Sequence, residues 1–175
     1  MTYPRFAMLN VVNLSKAYGG QILFEDASFQ VAPGERAGLV GRNGTGKTTL
    51  FRILLGEEEP DAGSVVVPPG YRIGHLAQHL VFRHGTALEE AASALPPRED
   101  GTDETYRARA VLTGLGFGEE DRSLRPEGLS GGFQVRLNLA RVLLSGADLL
   151  LLDEPTNYLD VVSIRWLRRF LRSWK

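Results

Sequence analysis

The sequence predicts an α/β fold with a mainly parallel sheet covered by helices. Three observations point to it: short apolar runs alternate with helical stretches, a glycine-rich loop joins one apolar run to a helix, and the unbroken run Leu149 to Leu152 ends in Asp153. An uninterrupted apolar strand is what a parallel sheet covered on both faces requires, and alternation of strand and helix is its connectivity. At 175 residues and 43% hydrophobic, the chain is of a size to build one core, so the expectation is one domain over residues 1–175.

Ala7 to Asn13 and Ile22 to Val31 read as two edge strands, and the turn Pro33-Gly34-Glu35 leads into Ala37-Gly38-Leu39-Val40, read as a buried strand. Lys47 to Leu55 reads as a helix stopped by Gly56, the residue type favoured just past a helix end. Val65-Val66-Val67 and Tyr71 to Ala77 flank Pro68-Pro69-Gly70, the pattern of a hairpin at the border of the sheet. Thr86 and Glu89 have capping-box spacing at the head of a short helix, and Glu104 to Leu115 reads as a second one after the loop Pro96 to Gly101. From Phe133 to Leu144, Val135, Leu139, Val142 and Leu143 share one helical face opposite Gln134, Arg136, Asn138 and Arg141. Val161 to Trp174 reads as a helix with Ile164, Leu167, Leu171 and Trp174 on one face.

Composition bounds the function classes. The formal net charge of −1 argues against a generally basic nucleic-acid binder and leaves only local patches for polyanions. Without cysteine there are no disulfides and no thiolate metal sites, which fits a reducing compartment, so the expected location is the cytoplasm. No stretch approaches the ~20 apolar residues of a membrane helix, so no insertion into a bilayer is expected.

Gly41-Arg42-Asn43-Gly44-Thr45-Gly46-Lys47-Thr48 fits G-x-x-x-x-G-K-[ST] at every fixed position and lies between a predicted strand and a helix, as that motif must. Glycines let the backbone curl around phosphates with N–H groups pointing inward, and the helix start adds its positive dipole end. Lys47 would neutralise the β and γ phosphates and the Thr48 hydroxyl would ligate Mg2+. Asp153 and Glu154 follow an apolar strand, at the sheet end where open α/β folds bind ligands. Asp153 is expected to support the magnesium shell, and Glu154 to polarise the attacking water. Leu129-Ser130-Gly131-Gly132 precedes the amphipathic helix, so the Ser130 hydroxyl and the first-turn N–H groups could grip an anion together.

In this order, Gly41 to Thr49, Gln78, Leu129 to Gly132 and Leu149 to Asp160 resemble the Walker A, Q-loop, signature and Walker B/D-loop motifs of ABC ATPases. The resemblance spans essentially the whole chain. It implies a P-loop NTPase fold of the ABC type, an antiparallel β border, and a small helical signature subdomain over approximately residues 80–145. It further implies ATP and Mg2+ as ligands, Tyr18 as the aromatic that stacks on adenine, and Gln78 as the residue sensing the magnesium and the attacking water. Asp160 becomes the D-loop acid that communicates across a dimer. Ser130, Gly131 and Gly132 serve a nucleotide bound by a second ABC domain.

The tail Asp153-Glu154-Pro155-Thr156-Asn157-Tyr158-Leu159-Asp160 resembles the ABC-F branch, where Asn follows Thr. Members of that branch are soluble, carry two such domains in one chain and act on ribosomes during translation, which makes ribosome and RNA the expected partners. The alternative is the ATPase subunit of a membrane transporter. Tyr158 stands where the branch most often has histidine, and between Gln78 and Ser130 there is room for two short helices rather than a long arm. The chain stops at Lys175, ahead of the strand that carries the family's switch histidine, which implies a first domain lacking its carboxyl-terminal part.

His75, His79 and His84 straddle a predicted strand end and loop with no acidic partner at ligand spacing. Arg165, Arg168, Arg169 and Arg172 lie away from the apolar face of the last helix, ordinarily a solvated face, although such a stripe also attracts phosphates. Glu57-Glu58-Glu59 and Glu119-Glu120-Asp121 read as solvated loop charges.

Overall fold

The computed structural model describes residues 8–76, 81–98 and 100–174. The backbone separates into two compact units, Met1–Tyr71 and Arg72–Trp174. The first holds β1 (Leu9–Tyr18), β2 (Gln21–Val31), α1 (Lys47–Leu54) and β3 (Ala62–Val66). Its antiparallel sheet has the order β2-β1-β3, so β1 is central rather than at an edge. Gly19 and Gly20, both with positive φ, make the two-residue turn between β1 and β2, a turn whose handedness matches strand twist.

Leu9, Val11 and Leu14 are buried, and their spacing breaks from two to three because β1 bulges between Val11 and Leu14. Asn13, at φ 49°, occupies the bulge, and the extra residue returns Leu14 to the buried face. The expected buried strand at 37–40 is not formed. That run belongs to neither sheet, and Val40 is 94% exposed. Apolar composition makes burial favourable but does not supply the ladder partner that a strand needs.

The second unit holds β4 (Ile73–His75), α2 (Ala87–Ala92), α3 (Thr105–Gly114), α4 (Glu119–Ser123), α5 (Gly131–Leu144), β5 (Leu149–Leu151) and α6 (Val161–Ser173). A single 3-10 turn, Pro126–Gly128, leads into α5. The predicted hairpin across Pro68-Pro69-Gly70 is replaced by a change of sheet: β3 pairs antiparallel with β1, whereas β4 pairs parallel with β5, Ile73 opposite Leu149 and His75 opposite Leu151. Local turn chemistry marked the reversal; the non-local partners decided the pairing. Among the described residues, three short helices rather than two stand before α5, because Glu119, Glu120 and Asp121 form the first turn of α4, where acids complement the helix dipole.

The core of this unit is built by α2, α3, α5 and α6 through Ala91, Leu112, Leu115, Leu137, Ala140 and Leu167. Thr86 and Glu89 form the expected capping box of α2. Gly114 lets Trp166 of α6 lie against α3, since a Cβ there would sit 1.9 Å from the indole. Glu90 is 1% exposed, and its carboxylate accepts from the backbone N–H groups of Arg83 (2.8 Å) and His84 (2.9 Å) and pairs with Arg141 at 3.3 Å. A buried charge is tolerated only with partners of this kind.

Candidate functional site

In the first unit the glycine-rich loop turns on Gly44 (φ 81°) and Gly46 (φ 92°), angles a side chain rarely adopts. Gly41 is required for room, since a Cβ would approach Thr45 Oγ1 to 2.6 Å. Thr45 braces the loop by donating Oγ1–H to the Arg42 carbonyl at 2.8 Å. Gly46 caps α1 with no side-chain hydrogen bond, and the first turn holds no acid, so the positive helix end faces the loop without a built-in anion. The Lys47 ammonium donates to the carbonyls of Gly41 (2.7 Å) and Arg42 (2.9 Å), which pins its charge at the loop mouth. Uncapped helix end, left-handed glycines and a tethered lysine fit a phosphate chain. Arg42, Asn43 and Thr48 are exposed and Thr49 is half-buried at the head of α1.

Tyr18 ends β1 with its ring half exposed, and a hydrogen bond between its hydroxyl and Thr49 places it beside the start of α1. The same hydroxyl donates to the Glu58 carboxylate, which raises the phenol's pKa above its ordinary value and lowers that of Glu58. Lys16 Nζ lies 5.2 Å from the ring centroid and bridges Glu58 (3.2 Å) and Asp61 (3.4 Å). Desolvation draws the Lys16 ammonium down, but its bonds to Glu58 and Asp61 more than offset this and hold it above 10.5. This network was not legible in the sequence: Glu58 is a tyrosine and lysine partner, not a solvated loop charge, and its partners lie some 40 positions away.

In the second unit, Asp153 and Glu154 follow β5 after one residue, Leu152. Glu154 sits at φ 44°, and the Asn157 side-chain amide donates to Glu154 Oε2 at 2.7 Å while the Asn157 N–H donates to the Glu154 carbonyl at 3.0 Å. The turn thus presents Glu154 in one orientation. A hollow of about 110 Å³ opens beside it, lined by Leu76, Arg136, Leu139, Asp153, Glu154 and Asn157 among others, with space for roughly three or four waters.

Ser130 caps α5, its Oγ accepting from the Phe133 N–H at 3.4 Å, and Gly131 and Gly132 open the helix. Ser130 and Gly131 are exposed, while Gly132 lies near Tyr158 Cβ, 3.9 Å from where its own Cβ would stand. Asp160 caps α6 by accepting from the Ser163 N–H at 2.8 Å, and that bond, with the Arg136 guanidinium at 3.1 Å, holds its pKa below 3.8 against desolvation. Arg136, on α5, also donates to the carbonyls of Tyr158 (2.8 Å) and Leu115 (3.0 Å). Sequence reading had placed Arg136 only on the polar side of its helix. Arg136 therefore links α5, the helix that Ser130 caps, to Tyr158 and Asp160, and Asn157 of the same segment holds Glu154. Gln78 and His79 lie outside the described residues. Among the described residues no group of three or more His, Asp or Glu side chains is placed to hold a metal ion, and no helix is long and apolar enough to cross a membrane.

A sequence profile of the ABC transporter family matches residues 24–157. ABC transporter F family member 5 of Arabidopsis thaliana is 33% identical over 203 aligned residues, which cover 92% of this chain and 29% of that protein. The energy-dependent translational throttle protein EttA of Escherichia coli K12 is 38% identical over 169 residues, covering 94% of this chain and 30% of EttA. The chain thus spans less than a third of the length of either relative. Among solved structures, an ATP-binding subunit of an ABC transporter superposes with a TM-score of 0.74 at 26% identity, covering 94% of this chain and 73% of that one.

Proposed function

Since the chain belongs to the ABC transporter family and aligns with its F branch, we propose that it binds magnesium-ATP for an ABC-F ATPase that acts on the ribosome during translation. The observation that carries the reading is the loop Gly41 to Thr48, with left-handed glycines, an uncapped helix end and Lys47 tethered at its mouth. Those groups bind the triphosphate. Thr48 and Asp153 are the residues to hold magnesium, which would supply charge neutralisation of the phosphates, with Gln78 reporting on that ion and the attacking water. Glu154, oriented by Asn157, accepts a proton from the water, a role worth roughly 10²–10⁴ in rate. Tyr18 offers a ring face to adenine.

The second ABC domain holds its own nucleotide against Ser130, Gly131 and Gly132, whose helix end stabilises developing phosphate charge on closure, and Asp160 relays that closure. The helices over about 80–145 are the subdomain that presents this signature, and the chain works in the cytoplasm. Translation as the setting is supported by the name of EttA, a translational throttle, and by the pair Thr156-Asn157, which resembles the ABC-F branch. Because half of each site lies on the opposing domain, residues 1–175 alone should bind ATP weakly and turn it over negligibly.

Calorimetry of the purified chain with magnesium-ATP tests the core of this reading. Binding lost in Lys47→Ala is the expected result, and no heat of association in the unaltered chain would sink it. The likeness to a transporter's ATP-binding subunit favours a second reading, an ATPase docked to a membrane partner. Cell fractionation of the Glu154→Gln protein separates the two: sedimentation with ribosomes supports the first, with membranes the second.

A further inference from the structure

Helix α6 carries Arg165, Arg168, Arg169 and Arg172, all four exposed, and no acidic residue anywhere between Val161 and Trp174. At 100° per residue the four fall within one third of the helix circumference and run for about 10 Å along it. The opposite face is already spent: Leu167 is buried, and Trp166, Phe170 and Leu171 pack against the unit's core. Like charges at i,i+3 and i,i+4 destabilise a helix, and here Arg165–Arg168, Arg165–Arg169, Arg168–Arg172 and Arg169–Arg172 repeat that spacing with no acid on the same helix to relieve them. On a chain of net charge −1 this is a local positive stripe against a nearly neutral background.

We propose that the exposed face of α6 is an RNA-docking surface that grips a phosphodiester backbone through Arg165, Arg168, Arg169 and Arg172. Guanidinium forks match phosphate oxygens bidentately, and over about 10 Å of axis a duplex presents roughly six phosphate charges. A membrane is the poorer occupant, because an interfacial helix must bury its apolar face in lipid and this face is in the protein core. The choice of RNA rests on the reading that the protein works in translation; the stripe itself does not depend on it.

The test is fluorescence anisotropy of the chain with a 20-base-pair RNA duplex across a salt series, beside sedimentation with vesicles of anionic phosphatidylglycerol. Binding should weaken linearly in log salt. The quadruple change Arg165→Gln, Arg168→Gln, Arg169→Gln, Arg172→Gln should cost at least about tenfold in affinity and reduce the salt slope by about 3 to 4. The quadruple Arg→Lys variant should keep the slope, which a merely structural role of the arginines would not foresee. Thermal melts verify folding, and if the quadruple glutamine variant unfolds, the pair Arg165→Gln, Arg169→Gln should still reduce the slope by about 2. Equal RNA binding by wild-type and glutamine variants, no RNA binding at all, or arginine-dependent binding to vesicles but not RNA overturns the proposal. Magnesium-ATP calorimetry on the same samples keeps the outcomes apart, since loss of nucleotide binding strikes the proposed function and loss of RNA binding alone strikes α6.

Discussion

Replacing Arg136 by alanine removes a side chain that joins α5 to the segment after Glu154. Its guanidinium is 13% exposed and donates to two backbone carbonyls, Tyr158 at 2.8 Å and Leu115 at 3.0 Å. A hydrogen bond from a charged donor contributes about 1.5 kcal/mol at the low end of its range, so the two together come to about 3 kcal/mol. Stacking of the guanidinium on Phe133, 4.9 Å from the ring centroid, adds about 0.5 kcal/mol. The attraction to Asp160 is screened by solvent and is left out of the sum. A loss near 3.5 kcal/mol in a unit of this size lowers the melting temperature by about 15 °C. Circular dichroism measures the shift, and hydrogen exchange locates it: amides of Asn157 to Ser163 should exchange faster, while those inside α2 keep their protection. Arg136→Lys should rescue little, because an ammonium lacks the planar fork that reaches several acceptors. A shift below about 3 °C, or faster exchange spread evenly over the unit, would refute the reasoning.

Gly63→Ala should destabilise the first unit by about 2 kcal/mol or more, because Gly63 sits at φ 85° and a Cβ would stand 2.3 Å from the Asn13 carbonyl oxygen; denaturant unfolding measures it, and a change under about 0.5 kcal/mol contradicts the bulge geometry. Glu90→Ala strands two N–H groups and the Arg141 guanidinium and should cost about 3 kcal/mol, read by the same assay. Asp61 is held below 3.8 by the Ala17 N–H, and Glu58 below 4.5 by the Tyr18 hydroxyl. Depressed carboxyl pKa values contribute stability above the unfolded values that disappears as pH falls through the folded ones, so stability should decline on acidification below about pH 4.5. Asp61→Asn should flatten that decline; an unchanged acid profile would exclude Asp61 as a contributor.

What could be read from the sequence was what neighbours in the chain decide. The capping box of Thr86 and Glu89, the amphipathic α5 and the acid-tipped β5 each carry their signal within a dozen residues, and each stands where expected; the loop Gly41 to Thr48 leads into α1 as expected but follows no strand. Pairing was not legible, because β3 and β4 differ from hairpin strands only in which distant strand accepts them. Burial of Leu39 and Val40 failed for the same reason. Glu58 and Arg136 were read as surface charges since nothing near them in sequence announces Tyr18, Lys16 or the Tyr158 carbonyl.

Glu154 and Tyr158 both hold positive φ without being glycine, at 44° and 68°. Each such residue costs on the order of 1–2 kcal/mol and persists only where surrounding bonds over-determine it. Those bonds are identifiable: Asn157 ties Glu154, Arg136 ties the Tyr158 carbonyl, and Asp160 anchors the end by capping α6. Ser130 starts the helix from which Arg136 reaches, so a displacement of the signature helix pulls on Tyr158 directly and on Glu154 through a turn only four residues long. Arg136 and the approach of Gly132 to Tyr158 thus tie the start of α5 to the turn that carries Glu154.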